Sequence, residues 1–460
     1  MTILITSILL ISLLVIATER QTNINKATVS VFAATVGWVL YICFGADFVE
    51  SQHHSEYNEF LGGLGLLPNS NVVKEYIARN VFLPYVGYAA EIVLFLLATM
   101  SIVEILHTNG CFDFLTLWIR TRNSKLLMWK LTTFSFLMSA NLDNISTIVL
   151  MLTVTNSILP RTKDRMVYGS MVLLSVIFGG ALTVIGDPTG LVLWNKGAIT
   201  ASDYTLSMLT PCLLAWIIPT LIVSYRQNST VEIETTRMAY RGDDTKLNTW
   251  QRMLFFLIGI GGLWFIPTFH DITKLPPFLG ALCVLSLLWI VHELVNHSLL
   301  KQAGKRIQSN SPQRMQYNTV QQILYIVGVI LALGVVTETG SIAWFSEQID
   351  SLIGNVWIIG VITALISTVL DSFASCITMI SLHDVISTDA YYSVGGAYWK
   401  VLSFGTAMGG SILAIGSISG IIMMQMQGVT LKWYVKHITP LTLLAGTIAF
   451  SMLCLQLTVF

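Results

Sequence analysis

Long apolar segments alternate with short polar stretches along all 460 residues of the chain. A polar stretch near 226–252 separates six of these segments from the next six. Most are close to the roughly 20 residues with which an α-helix crosses a bilayer core. We therefore predict an all-α integral membrane protein, with segments at about 2–17, 27–46, 81–108, 126–158, 166–196, 205–225, 253–269, 276–297, 319–337, 355–384, 395–425 and 438–459.

Two of the segments, 126–158 and 355–384, are too long for one crossing. A straight helix of that length would run about 45–50 Å at 1.5 Å per residue, against a core of about 30 Å. Each also carries an aspartate near its centre, Asp143 or Asp371. A re-entrant hairpin with the acid at its tip explains both features, because polar backbone at membrane depth must be shielded from lipid.

With the hairpins not crossing, each half has five spans, so the second half inserts upside down relative to the first. The basic residues support this orientation. When both termini are placed on the outer, periplasmic side, most of the 25 Lys and Arg fall in inner loops; the exceptions are Lys74, Arg79, Lys196, Lys274 and Lys400. We take 2–17 as a retained span, since it lacks the basic start of a signal peptide. The expected location is the cell inner membrane.

Two pairs of motifs show the repeat directly. Residues 179–190 (GGALTVIGDPTG) match 409–420 (GGSILAIGSISG) at four glycines and an isoleucine, and 139–147 (SANLDNIST) match 367–375 (STVLDSFAS) at Ser, Leu and Asp. The two offsets, 230 and 228, are nearly equal, which is hard to obtain by chance. We predict a first inverted repeat over 1–226, a cytoplasmic linker over 227–252 and a second repeat over 253–460.

The glycine-rich motifs predict broken helices at about 166–196 and 395–425. Glycine costs about 1 kcal/mol and proline about 3 kcal/mol in a helix interior, so we expect unwinding at 186–190 and 416–420. Unwound backbone frees carbonyl oxygens, and the two half-helix ends add dipole charge, which suits an ion. Close helix packing is the alternative role of these glycines.

The expected site combines three acids with neutral oxygen donors. Hard cations such as sodium and lithium prefer these ligands, and a carboxylate in a low-dielectric core holds its proton more strongly, so cation and proton can compete. Each aspartate alone has a structural alternative, as a helix cap or ion pair, but three acids at related breaks favour function. We place Na⁺ mainly at Asp143, Asn144 and Asp187.

Glu104 and Glu338 hold comparable places in the two halves, and His107 lies three residues after Glu104. These three residues are candidates for proton access or pH sensing; an interfacial acid is the alternative, since the positions are near span ends. His53 and His54 lie in an acid-rich loop, 47–80, which we expect to be solvated.

Composition excludes several function classes. Charged residues are 11% of the chain and apolar ones 54%, so lipid is the expected surroundings. No basic stripe suited to nucleic acid is present, and the six cysteines stand singly, without metal-binding spacing. The sequence has no nucleophile with a paired base, no zinc-binding motif and no phosphate-binding loop, so no motif in it indicates an enzyme. We expect no cofactor beyond the transported Na⁺ or Li⁺ and H⁺.

Together with 91–106 (EIVLFLLATMSIVEIL), the matched stretches resemble the NhaD-type sodium/proton antiporters of the ion transporter superfamily. The resemblance implies a homodimer with a scaffold and a moving transport domain that exchanges sodium or lithium for protons. Carried to matching positions, it implies roles for Glu104, Asp143, Asn144, Thr147, Asp187, Thr189, Glu338, Asp371, Ser411, Ser417 and Ser419.

The chain departs from the family pattern at two places. Asp371-Ser372 stands where the family has Asp-Asn, and Pro188 and Gly190 interrupt a threonine-rich run. A second interpretation keeps the fold and changes the substrate, to an anion such as a dicarboxylate or arsenite. Two acids in the first-half site argue against an anion, whose hairpin tips would be neutral.

Overall fold

The computed structural model describes residues 1–22, 24–64, 69–227, 229–233, 248–303 and 317–459. In these ranges every regular element is a helix, and a single β-bridge joins Asn123 to Thr230. The chain is therefore an all-helical membrane protein, as its apolar segments predict. Most of the predicted linker, residues 234–247, lies outside the described residues.

The first part of the chain contains long apolar helices joined by shorter polar ones. The stretch 47–80, which we expected to be a solvated loop, is helical over most of its described residues, and from Ser70 onward it continues into the long helix that follows. The helices are α1 Thr2–Ala17, α2 Glu19–Thr22, α3 Lys26–Cys43, α4 Gly45–Gln52, α5 His54–Leu64, α6 Ser70–Tyr76, a π-helical turn Ile77–Phe82, α7 Leu83–Thr108 and α8 Asp113–Ile119.

The two acid-bearing segments of the first half are both broken. Asp143 caps one helix by accepting the N–H of Ser146 at 2.8 Å, and Asp187 caps another with Pro188 in its first turn. Proline is favoured there because its missing N–H is not needed. The second break therefore covers 181–187 and ends at the Gly-Asp-Pro motif, whereas we expected it across 186–190. These helices are α9 Ser124–Ser139, α10 Asn144–Ile158, α11 Thr162–Gly180, α12 Pro188–Asn195 and α13 Ala201–Arg226.

The second half repeats this order of broken elements. Asp371 accepts the N–H of Phe373 at 3.1 Å, and Ser417 accepts that of Gly420 at 3.1 Å, so each residue caps the helix after a break. The glycine-rich break again precedes the position expected, at 414–417. These helices are α14 Thr249–Thr273, α15 Pro277–Ala303, α16 Tyr317–Glu338, α17 Ser341–Leu352, α18 Val356–Ser367, α19 Ser372–Ser381, α20 Ala397–Leu413, α21 Ile418–Gln427, α22 Leu431–His437 and α23 Thr439–Val459.

Eight helical stretches in the described ranges are long and apolar enough to cross a membrane, or nine if α17 and α18, bent by 119°, count as one. Eight of our ten expected spans are among them. The other two are α1, which has only 16 residues, and the α11–α12 segment, which is interrupted at 181–187 and begins with charged residues. The coarse membrane topology is thus confirmed, and the inverted arrangement stays a prediction.

The helices pack into two groups, each drawn from both halves of the chain. The first, the α3–α16 bundle, consists of α1, α3, α7, α14, α15 and α16. The second, the broken-helix bundle, consists of α9 to α13 and α18 to α23. The groups meet mainly where α16 contacts α19 and where α7 contacts α12. All four acid- or serine-capped breaks belong to the broken-helix bundle.

Matched glycines in the two motifs make matched close contacts. A Cβ on Gly186 would lie 2.5 Å from the carbonyl oxygen of Ser139, and one on Gly416 would lie 2.1 Å from that of Ser367. Ser139 and Ser367 are themselves the paired positions of the other motif. The packing role of these glycines is therefore real, and it brings each glycine-rich break against the end of the helix that precedes an acid-bearing turn.

Candidate functional site

A cavity of about 50 Å³ lies between the two bundles, where the broken helices meet α16. A single water needs roughly 10–15 Å³ by such a measure, so this space fits an ion with little water. The helix N-termini that open onto it present partial positive charge as well as free side-chain oxygens. Its polar lining consists of Asp143, Asn144, Asp187, Thr189, Gln322, Tyr325, Asp371, Ser372, Thr406, Ser417 and Ser419.

Asn144 ties the first acid-bearing turn to the first broken helix. Its amide nitrogen donates to Asp187 Oδ1 at 2.7 Å, and its amide oxygen accepts from the Ser139 hydroxyl at 2.6 Å. A Cβ at Gly180 would lie 2.0 Å from that amide oxygen, so only glycine leaves room for the bridge. The other oxygen of Asp187 accepts from the backbone N–H and the hydroxyl of Thr189.

One oxygen of Asp143 has no hydrogen-bond partner in the described part of the chain. Its side chain is 4% exposed, and only Oδ2 is used, by the cap to Ser146; Oδ1 is buried and unpaired. The hydroxyl of Thr147, one turn further along α10, is also buried and unpaired. Buried polar oxygens without partners are rare, because each loses its hydrogen bonds to water and gains none in the protein. A cation or a proton at Asp143 would satisfy its free oxygen.

Asp371 already has a cationic partner. Its Oδ2 lies 2.7 Å from Nζ of Lys26, and both side chains are largely buried. Lys26 is the first residue of α3, and its ammonium also lies 4.3 Å from the ring centre of Tyr325. The Tyr325 hydroxyl lies near this pair, and the Ser375 hydroxyl is buried with no hydrogen-bond partner among the described residues.

Seven of the nine residues that we predicted to bind cation or proton line the cavity. They come from both halves of the chain: Asp143, Asn144, Asp187, Thr189, Asp371, Ser417 and Ser419. Thr147 and Ser411 are buried but do not line it. The Ser411 hydroxyl donates to the Met408 carbonyl of its own helix at 2.6 Å.

The three candidates for proton access lie away from the cavity. Glu104 is exposed on α7, and neither it nor His107 is part of the lining. Glu338 accepts from His53 Nε2 at 2.6 Å and from the Tyr85 hydroxyl at 2.8 Å. His53 is therefore drawn onto the end of α16, and our expectation of a solvated histidine was wrong for it but holds for the exposed His54.

Lys26, Gln322, Tyr325 and Thr406 are polar residues at the site that were not predicted. Lys26 resembles an ordinary inner-loop lysine in the sequence, since it begins an apolar segment. Gln322 and Tyr325 are three positions apart near the start of a span, and therefore share one helix face. This spacing was a usable signal for a polar face on α16.

The lining can hold a small cation by its oxygens. Among the described residues, Lys26 pairs with Asp371, and neither Asp143 nor Asp187 forms an ion pair. Neutral amide and hydroxyl oxygens complete the donor set, as hard monovalent cations require. No group of three or more His, Cys, Asp or Glu residues in the described ranges is placed to hold a metal ion jointly.

Comparison with protein families agrees with a transport role. The model of the citrate transporter family, CitMHS, matches residues 4–397. The chain belongs to this family. It is therefore a secondary transporter and not an enzyme, as the sequence predicted.

Relatives of this chain include proteins that are named as sodium/proton antiporters. Sodium/proton antiporter 1 of Arabidopsis thaliana is 26% identical over 453 residues, which cover 92% of this chain and 75% of that protein. The Na⁺/H⁺ antiporter NhaD of Vibrio parahaemolyticus is 23% identical over 431 residues, covering 87% of this chain and 92% of that protein. The resemblance to the NhaD-type family is thereby confirmed.

A solved structure shows the same type of fold. The YdaH transporter of Alcanivorax borkumensis aligns with 84% of this chain, and the alignment covers 89% of that chain, with a TM-score of 0.57. Only 10% of the aligned residues are identical, so the likeness concerns the fold alone.

Proposed function

We propose that this family member exchanges sodium or lithium for protons across the inner membrane. The observation that carries the proposal is the cavity in which, among the described residues, Asp143 and Asp187 have no cationic partner and one Asp143 oxygen has no hydrogen-bond partner. A carboxylate in this state binds either a proton or a metal ion. Competition for the same oxygens couples the two fluxes, and the antiporter relatives support the choice of cargo.

The packing supports an elevator-type mechanism. The broken-helix bundle carries every carboxylate of the cavity, while the α3–α16 bundle contributes Gln322 and Tyr325. Sliding of the first bundle along the second would expose the site to each side in turn. Two inverted five-span repeats, each with a re-entrant hairpin and a broken helix, and a homodimer built on the α3–α16 bundle complete this proposal.

The family name gives the alternative, a citrate or other anion permease. Lys26 and the serines at the α21 start are groups that an anion can use. Against this stand Asp143 and Asp187, two carboxylates of the cavity that form no ion pair with the described residues and would repel an anion.

Purified protein in proteoliposomes with an internal pH dye tests the proposal. A sodium gradient should move protons in wild type, and Asp187→Asn should reduce this flux at least about 100-fold, since it removes the charge without changing the shape. Glu59→Gln, at an exposed acid, is the matched control and should behave as wild type. Sodium-independent uptake of labelled citrate, without sodium-driven proton movement, would replace antiport with the anion permease.

A further inference from the structure

Lys26 is a buried cation attached to the opposite bundle from the acid it contacts. Its ammonium lies 2.7 Å from Asp371 Oδ2, and its side chain is only 12% exposed. The start of α3 is fixed by two caps: Asn25 accepts the N–H of Ala27 at 2.8 Å, and Glu19 accepts that of Lys26 at 3.2 Å. The base of the Lys26 side chain is therefore firmly anchored in the α3–α16 bundle.

The Lys26–Asp371 pair spans one of the few places where the bundles touch. Asp371 caps α19, which belongs to the broken-helix bundle, and the neighbouring contact is that of α16 with α19. Phe373, in the first turn of α19, contacts the ring of Tyr325 edge-on, with ring centres 6.4 Å apart. Any sliding of one bundle along the other must separate Lys26 from Asp371.

Lys26 also stands in the way of a cation at Asp371. An ammonium and an alkali cation satisfy the same carboxylate oxygen by the same charge, and two positive charges cannot share one position. The corresponding acid of the first half, Asp143, has no basic partner among the hydrogen bonds and ion pairs of the described residues. The obstacle is thus confined to one of the two related tips.

We propose that Lys26 is a tethered competitor of the transported cation. It holds Asp371, and with it the broken-helix bundle, while the cavity is empty; cation entry displaces it and releases the bundle to move. This inference rests on the proposed sodium exchange. It assigns to Lys26 a role in setting the cation affinity and in preventing movement of the empty carrier.

The test compares Lys26→Gln, Lys26→Arg and Lys432→Gln in the full-length protein. Lys432 is an exposed lysine of α22 and serves as the matched control. Sodium binding is measured by calorimetry in detergent, and KM and maximal rate are measured in proteoliposomes. We expect Lys26→Gln to lower both Kd and KM for sodium about tenfold. Its maximal rate should fall, because bound sodium is released less readily; Lys26→Arg should restore the wild-type values.

An unchanged or raised sodium Kd in Lys26→Gln would overturn the inference while leaving antiport intact. A wild type that neither binds sodium nor exchanges it would instead overturn the proposed function, and the competition with it. If Lys26→Gln folds poorly, the sodium Kd is compared instead between Asp371→Asn and Lys26→Gln/Asp371→Asn. The double variant should bind sodium more tightly than Asp371→Asn, because the unpaired ammonium no longer repels the cation, and equal Kd values would overturn the inference.

Discussion

The turns at Asp143 and Asp371 have the same local backbone arrangement but opposite electrostatic surroundings. Each acid caps the helix after a break, and each is followed one turn later by a buried unpaired hydroxyl, that of Thr147 or Ser375. Asp143 keeps an unpaired oxygen, however, while Asp371 is bound to Lys26. The two turns thus share a backbone geometry, but one acid keeps an oxygen that an ion could use and the other is already paired with a lysine.

The partners of the two turns differ as well. On the first side Asn144 links the turn to Asp187, so two carboxylates share one hydrogen-bonded network. On the second side the corresponding residue is Ser372, and Ser417 stands where the first half has Asp187. If the proposed exchange holds, this difference favours cation binding mainly in the first half and coupling between the bundles in the second.

The largest effect that we predict from this comparison is on sodium/proton exchange when Asp143 or Asp371 is replaced. Asp143→Asn should lower sodium-driven proton flux at least about 100-fold, since its unpaired oxygen has no substitute. Asp371→Asn should retain exchange but raise the sodium KM about tenfold, because the unpaired ammonium then repels the cation. Flux measurements in proteoliposomes decide this. Equal losses in the two variants would show that the halves share the cation equally.

A second prediction concerns the geometry that the two halves share. Gly186→Ala and Gly416→Ala should each lower the free energy of unfolding by about 2–4 kcal/mol, because the new Cβ would lie 2.5 Å or 2.1 Å from a backbone carbonyl oxygen. Thermal unfolding in detergent measures both.

Gly261→Ala is the control for this pair. Gly261 is an exposed glycine of α14 at which a Cβ would enter open space, so alanine there should be neutral or slightly stabilising. If only one of the two motif variants is destabilised, the two breaks are not structurally equivalent, and the close glycine contact is not shared by the two halves.

The smallest predicted effect concerns the pH dependence of stability, and it involves His53, which lies outside the turns at Asp143 and Asp371. Burial alone would lower the pKa of His53, but its hydrogen bonds and proximity to Glu338 and Glu56 outweigh burial and raise the pKa above 6.5. The resulting stability is fully present below about pH 6.5 and is lost as the pH rises through the raised value.

His53→Gln should therefore flatten the dependence of thermal stability on pH above 6.5, with a change of about 1 kcal/mol because His53 is partly exposed. His54→Gln is the control. Glu338 is 13 residues, or about 20 Å of helix, from Tyr325, so the pH profile of exchange should stay as in wild type. A shifted exchange profile would mean that this end of α16 also controls the site.

Many of the helices, the breaks within them and the cavity residues could be predicted from the sequence alone. The apolar segments predicted eight helices that are long enough to cross a membrane. Backbone in lipid must form its hydrogen bonds internally, and a helix does this within one segment. The breaks were predicted within a few residues, since glycine and proline disfavour a helix interior and aspartate caps one. Seven cavity residues were predicted from the acids and hydroxyls at these breaks together with the resemblance to the NhaD-type family.

The tertiary structure decided which residues from distant segments meet. Lys26 is separated from Asp371 by 345 positions and looks like any loop lysine in the sequence; only the packing of α3 against α16 brings it to the cavity. His53 reaches Glu338 by the same kind of long-range contact, against the local signal of a polar loop. Local preference fixes helices, breaks and caps, whereas charge pairing between segments depends on how the bundles pack. For that reason the acids of the two halves, and the smaller set of polar ligands in the second half, were visible from the sequence, whereas the pairing of Asp371 with Lys26 was not.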